Sequence, residues 1–207
     1  MRSRAAAAIL SRAGFKEVYS MEGGMHAWKG FVAKGVPEAG ITYFSPAQRP
    51  EELIGLTWLL EDGSSKFYSE IAKILKDQKA ANLFRRLSAD EESHKGSLFK
   101  IYQEVSGLNS DPGFPGSVVA IEAGEDYMEG GLRLSKALEW AREEKLSGIL
   151  ELSISLEANS HDLYIKMERK IEDKKGKKVF KTLAEEEKEH LNRLSSLFER
   201  NLGGAEK

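Results

Sequence analysis

The sequence contains no cysteine, and this absence removes several kinds of functional site. Disulfides, cysteine-ligated zinc, iron–sulfur clusters, rubredoxin-type iron and thiol nucleophiles all require that side chain. The absence also agrees with a reducing compartment, so we expect a cytoplasmic protein. No apolar run reaches the ~18 residues that a membrane-spanning helix needs. We therefore expect no membrane partner.

An excess of basic residues is also missing from the sequence. The 31 Lys and Arg are balanced by 33 Asp and Glu, which gives a net charge of −2. Nucleic-acid binding depends on basic patches that neutralise phosphates, so we expect no nucleic-acid partner. What the sequence does have is 41% hydrophobic residues in 207, enough for a packed core.

The chain divides into two parts of different pattern. Residues 1–45 show a helix, a short strand and a second helix, with glycines between them. From Pro46 onward, apolar residues recur at every third or fourth position, as Leu53, Leu56 and Leu60 do. This pattern predicts four long helices, the last two over residues 146–171 and 178–202. The crossover between the second and third contains helical pieces, including one over residues 132–144.

The four predicted helices form two similar halves. The matching pairs are each separated by 96 residues: Glu61 and Glu157, Tyr68 and Tyr164, Phe84 and Phe180, Leu87 and Leu183, Glu91 and Glu187, His94 and His190. A repeat at a fixed offset indicates two copies of one supersecondary unit. We therefore predict two helical hairpins joined by one long crossover, which is a mainly α, antiparallel four-helix bundle.

The repeated Glu and His residues are predicted to meet in the bundle core. Glu61 and Glu91 lie at equal distances from the first turn, so an antiparallel pair places them at one height. Glu91 and His94 are three residues apart and share a helix face, and the second hairpin repeats both relations. Buried carboxylates repel one another and are costly without a cation. Two divalent ions would balance four carboxylates, and Glu with neutral imidazole suits iron or manganese.

These residues resemble the rubrerythrin branch of the ferritin-like diiron proteins over about residues 46–202. The matching motifs begin at Glu61, Phe84, Glu157 and Phe180 and end in Glu91-Glu92-Ser93-His94 and Glu187-Lys188-Glu189-His190. The resemblance implies a site of two iron ions, with manganese or zinc as alternatives in a purified sample. It implies the ligands Glu61, Glu91, His94, Glu157, Glu187 and His190, with Glu91 and Glu187 as bridges and the four Glu as catalytic residues.

The resemblance further implies reaction with peroxide or dioxygen and a homodimer. Rubrerythrin itself carries a four-cysteine rubredoxin module, which this chain lacks. Electrons must therefore come from an external donor such as a rubredoxin-like protein. Two alternatives stay open: a diiron oxidase of an organic substrate, which would need an open apolar pocket, and a non-catalytic metal-binding or interaction module.

Four further residues are candidates for roles beside this site. Glu129, together with Glu125, lies in the crossover and is a candidate for an extra carboxylate, although the pattern favours a solvated helix end there. Tyr68 and Tyr164 either fill the core with satisfied hydroxyl groups or donate hydrogen bonds to a ligand.

The first 45 residues resemble the C-terminal end of a rhodanese domain. The matching runs are Arg2-Ser3-Arg4-Ala5-Ala6, Glu22-Gly23-Gly24-Met25-His26-Ala27-Trp28 and Gly35-Val36-Pro37. Because the nucleophilic cysteine of a rhodanese is absent, we expect no sulfurtransferase activity. The predicted domains are thus a rhodanese-like fragment over residues 1–45 and the helical bundle over residues 46–207.

Overall fold

A computed structural model describes residues 49–119 and 126–203 of the chain. Within these ranges the fold is mainly α, as predicted. Helix α1 spans Pro50–Ile74, α2 spans Gln78–Ser106, α3 spans Leu134–Ala141, α4 spans Leu146–Lys170 and α5 spans Lys174–Gly203. The predicted rhodanese-like segment lies outside the described residues, so that prediction is untested. No helix within the described ranges is long and apolar enough to cross a membrane.

The two predicted hairpins are present, and each turns at an aspartate that caps the second helix. Asp77 accepts hydrogen bonds from the backbone N–H groups of Lys79 and Ala80, at 2.8 and 2.9 Å. Asp173, 96 residues later, accepts one from Gly176 at 2.6 Å. An aspartate at this position satisfies helix N–H groups that would otherwise lack a partner. Helix α5 therefore starts at Lys174, four residues before the predicted start at residue 178.

The crossover contains a small strand pair that the sequence pattern did not predict. Strands β1 (Tyr127–Met128) and β2 (Leu132–Arg133) pair antiparallel around a 3-10 turn over Glu129–Gly131. Both glycines of that turn have positive φ, near 76° and 72°, which only glycine adopts readily. The predicted helix over residues 132–144 is correspondingly shorter, because β2 occupies its first two positions.

Two apolar clusters fill the bundle, one on each side of a polar layer. On α1, Leu53 and Ile54 belong to one cluster, and Phe67 and Ile71 belong to the other. Glu61 lies between them along the helix and is itself 1% exposed. The core is thus apolar at both ends and interrupted in the middle by buried carboxylates, which is where the functional site lies.

Candidate metal centre

The structure brings all six predicted ligand residues together in the polar layer. Each is buried, with 1–2% of its surface exposed. Leu87 and Leu183, one turn before the two motif glutamates, are buried as well, so both Glu-x-x-His motifs face the core. Glu61 and Glu91, which were predicted to lie at one height, offer ligand atoms within 4.8 Å of each other, and His94 Nδ1 of α2 lies 3.2 Å from Glu61 Oε2 of α1.

The side chains form two overlapping groups that could each hold a metal ion. In each group, one ligand atom per residue lies within 4.8 Å of the others. Glu91 and Glu187 belong to both groups, which is the arrangement expected of carboxylates that bridge two ions. The groups are Glu61, Glu91, His94 and Glu187, and Glu91, Glu157, Glu187 and His190.

The carboxylate oxygens in this cluster, which accept hydrogen bonds, outnumber the protons available to them. His94 Nδ1 lies 3.0 Å from a Glu91 oxygen and 3.2 Å from oxygens of Glu61 and Glu187, yet it carries at most one proton. Oε2 of Glu91, the oxygen that lies 3.0 Å from that nitrogen, and both oxygens of Glu187 are buried, and none of them receives a hydrogen bond of acceptable geometry. Buried oxygens without partners are costly, and cations would satisfy them. The residues therefore fit a pair of divalent ions held by oxygen and nitrogen.

The electrostatics of the cluster show the same shortage of positive charge. Burial raises the pKa of Glu61 and Glu187, and repulsion from neighbouring carboxylates raises both further. Burial lowers the pKa of His190, but the carboxylates of Glu157 and Glu187 outweigh it and raise that pKa to about 11. Burial lowers the pKa of His94 as well, but hydrogen bonding to Glu186, Glu187 and Glu61 outweighs that effect and raises it, so without metal both imidazoles favour the protonated form.

The outer nitrogens of the two imidazoles are held by acidic residues that the sequence analysis missed. His94 Nε2 lies 3.1 Å from Glu186 of the second hairpin, and His190 Nε2 lies 3.2 Å from Asp90 of the first. Such contacts fix the tautomer, so that Nδ1 presents its lone pair to a metal. Asp90 and Glu186 are themselves 96 residues apart, so the repeat offset was the signal that could have found them.

Both tyrosines are buried in the core, and their hydroxyl groups donate hydrogen bonds to predicted ligands. The two roles considered for them, core residue and hydrogen-bond donor to a ligand, are thus combined. Tyr68 donates a hydrogen bond to Glu157 Oε1 at 2.5 Å, and Tyr164 donates to Glu61 Oε1. Each bond runs from one hairpin to the other. The second oxygen of each glutamate, Oε2, faces the Nδ1 atom of the histidine in its own hairpin, 3.2 Å away for Glu61 and 3.0 Å for Glu157.

Comparison with known proteins agrees with this geometry. A sequence profile of the rubrerythrin family matches residues 52–147 and 148–206. The chain belongs to the rubrerythrin family. Among solved structures, a hypothetical protein from Pyrococcus furiosus is similar with a TM-score of 0.59 and 22% identity, over 82% of this chain and 98% of that one. That likeness concerns the fold alone. No curated protein matches the chain.

Glu129 of this rubrerythrin-family chain is buried, which corrects the expectation of a solvated helix end. Its exposed fraction is 3%, because the 3-10 turn that carries it packs against α1 and α4. Burial raises the pKa of Glu129, and repulsion from Glu91, Glu187 and Glu157 raises it further. The second crossover candidate, Glu125, lies outside the described residues.

A small polar cavity lies against the two imidazoles of this rubrerythrin-family site, on helices other than those that the Glu129 turn contacts. Its volume is about 150 Å³, enough for a few water-sized molecules. Helices α2 and α5 supply its walls: Asp90, Ser93, His94, Glu186, Glu189, His190 and Arg193.

Proposed function

We propose that the protein is a non-haem diiron oxidoreductase of the rubrerythrin type that reduces peroxide. The overall reaction combines peroxide with two electrons and two protons and gives two water molecules. The electrons come from an external donor or from Fe(II) as substrate, with dioxygen as an alternative oxidant. The observation that carries this proposal is the buried cluster of four carboxylates and two imidazoles, in which oxygens of Glu91 and Glu187 have no hydrogen bond.

The residues of the cluster divide the work of holding two metal ions. Glu91 and Glu187 occupy the shared positions, while Glu61 with His94 and Glu157 with His190 complete the two ends. Bound iron would supply the electrons that cleave the O–O bond. The hydroxyl groups of Tyr68 and Tyr164 each donate to Oε1 of a terminal glutamate, which would leave Oε2 available to hold a metal ion.

The cavity beside the imidazoles favours a small oxidant over an organic substrate. At about 150 Å³ it is much smaller than the ~300–1,000 Å³ typical of sites for organic ligands. Its lining includes three acidic side chains and an arginine, whereas an organic oxidase would need an apolar wall. Peroxide and water fit such a space, and both exchange hydrogen bonds with its walls.

The reductant in this proposal is external, either another protein or a small molecule, because the chain has no cysteine with which to hold rubredoxin-type iron. A rubredoxin-like protein is the donor we propose. We also propose a homodimer and a cytoplasmic location; the absence of cysteine agrees with a reducing compartment.

The test of the proposal is peroxide consumption by the iron-loaded protein. The protein is loaded anaerobically with two equivalents of Fe(II), and peroxide loss is followed with a chemical reductant present. We expect multiple turnovers in the wild type and none in Glu91→Ala, with Glu199→Ala, an exposed glutamate of α5, as the matched control. Two bound iron ions without turnover would instead support the non-catalytic metal-binding alternative.

A further inference from the structure

Glu129 is the one residue of the buried carboxylate layer, among those the structure describes, that the helical repeat does not supply. It lies in the crossover turn, and the pairs separated by 96 residues do not include it. Its Oε1 atom is buried and has no hydrogen-bond partner. A buried carboxylate in that state is costly unless a cation meets it.

The turn that carries Glu129 packs at equivalent positions of the two hairpins. Gly63 on α1 allows the first contact, because a Cβ atom there would lie 2.1 Å from the Tyr127 carbonyl oxygen. Asn159 on α4 makes the second, because a Cβ atom on Gly130 would lie 2.6 Å from its Nδ2 atom. Positions 63 and 159 are 96 residues apart. The turn therefore contacts both hairpins at matching positions, two residues after Glu61 and two residues after Glu157.

The electrostatic neighbours of Glu129 belong to both half-sites as well. Its carboxylate repels Glu157 of the second half and the two shared residues, Glu91 and Glu187. It also repels Glu61 of the first half. Without a bound metal, a fifth carboxylate at this place would only increase the electrostatic repulsion within the cluster.

We propose that Glu129 is a seventh protein ligand, which reaches the metal pair from the crossover between α1 and α4. Its place is opposite the imidazoles and the cavity, which lie between α2 and α5. Binding by Glu129 therefore closes one face of the centre and leaves the cavity face open to peroxide. This inference rests on the proposed dimetal site and adds a ligand to it.

Titration of the metal-free protein with Co²⁺ tests the proposal, since the visible absorption of Co²⁺ depends on the number and geometry of its ligands. The variant Glu129→Gln keeps the shape of the side chain and removes its charge. We expect it to bind at least one of the two ions about tenfold more weakly or worse, with altered absorption bands. Glu139→Gln on α3, whose side chain is 72% exposed, is the matched control and should behave as the wild type.

A second variant guards against a folding defect, which circular dichroism of each metal-free protein would reveal. Glu129→Asp retains the carboxylate and withdraws it by ~1.5 Å, so we expect intermediate affinity and a third spectrum. Wild-type affinity and wild-type absorption in both folded variants would overturn the role of Glu129. Failure of the wild type to bind two Co²⁺ ions would instead refute the dimetal site, and with it the proposed function.

Discussion

The two hairpins join their helices with different side chains at equivalent positions. In the first, Ser65 Oγ lies 3.1 Å from the carbonyl oxygen of Ser88. In the second, His161 Nδ1 lies 2.8 Å from the carbonyl oxygen of Ala184. Ser65 and His161 are 96 residues apart, and so are Ser88 and Ala184. The carbonyl group is contacted in both hairpins, while the side chain that contacts it has changed from serine to histidine.

Differences of this kind also occur at other positions away from the ligand residues. Lys95 forms an ion pair with Asp62 at 2.6 Å in the first hairpin, and the equivalent residues of the second are Leu191 and Ala158. The residues that face the polar layer are instead identical or of the same charge in both halves. Packing within a hairpin is therefore possible with different residues in the two halves, whereas the candidate metal centre has the same set of ligand atoms from each hairpin.

The largest expected effect comes from removing either shared carboxylate. Glu91→Ala and Glu187→Ala should each lose both ions, more than ~100-fold in affinity, because two divalent ions would then face three glutamates of the repeat. Metal analysis after dialysis measures the loss. Metal-free Glu91→Ala should be no less stable than the metal-free wild type, since one repelling charge is gone. Two ions retained in one variant but not in the other would show that the halves are not equivalent.

The pH dependence of stability should have opposite signs with and without metal. The pKa of His190 is raised to about 11, so its stabilising proton is fully present below ~6.5 and is lost as pH rises toward 11. The raised pKa values of Glu61 and Glu187 act in the same direction. The lowered pKa of Glu157 opposes them only in acid, below its ordinary value near 4.5.

Between pH 9 and pH 7, the metal-free protein should therefore gain about 1 kcal/mol per pH unit for each proton that only the folded state retains. The metal-loaded protein should not gain stability over this range and should lose it on further acidification, because protons compete with the ions for the ligands. Urea unfolding with a chelator, and separately with excess Mn²⁺, measures both slopes. A falling stability of the metal-free protein toward pH 7 would show that the imidazoles are not its counter-charges.

A smaller effect is expected from the acidic residues that hold the outer imidazole nitrogens. Asp90→Asn and Glu186→Gln should each weaken metal binding by about 10–100-fold, since an amide stabilises the metal-bound imidazole less than a carboxylate does. Calorimetric titration with Mn²⁺ compares the two variants directly. Losses of equal size would support equivalence of the halves. A loss in only one variant would show that the acidic residue changed in the other variant makes no more than a surface ion pair with its imidazole.

The smallest effect is expected from replacing one ion pair of the first hairpin by the residues found at the equivalent positions of the second. The double variant Asp62→Ala/Lys95→Leu installs the residues found at positions 158 and 191. We expect a change in the free energy of unfolding of about 1 kcal/mol or less, because both charges are removed together and neither is left buried without its partner. Metal content should stay at the wild-type value. A loss of metal in this variant would contradict the separation between the packing surface and the metal centre.

The sequence predicted those parts of the site that follow from helix periodicity and the repeat. Glu61, Glu91 and His94 meet because their spacing places them at one height, and the same spacing in the second half completes the set. Such reasoning named Glu129 as a candidate but favoured a solvated helix end for it, and so missed its burial. Its burial depends on a turn with two positive-φ glycines and on the close approach of that turn to Gly63, and neither is periodic.

The start of α5 shows the same limit on a smaller scale. The run Lys174-Lys175-Gly176-Lys177-Lys178 is typical of a solvated turn, yet it forms the first turns of the helix. Capping by Asp173 decides the boundary, and the 96-residue relation to Asp77 was the clue. Where a position in the second half is ambiguous, its counterpart in the first half is the better guide.

The exchange of contacts between hairpins also sets the order in which the molecule can be built. Glu61 is oriented by Tyr164 and His94 by Glu186, while Glu157 is oriented by Tyr68 and His190 by Asp90. Neither hairpin therefore contains a finished half-site by itself, however well its helices pair. The contacts that orient both half-sites exist only when the two hairpins are docked, so we expect tight binding of both ions to require the completed tertiary structure.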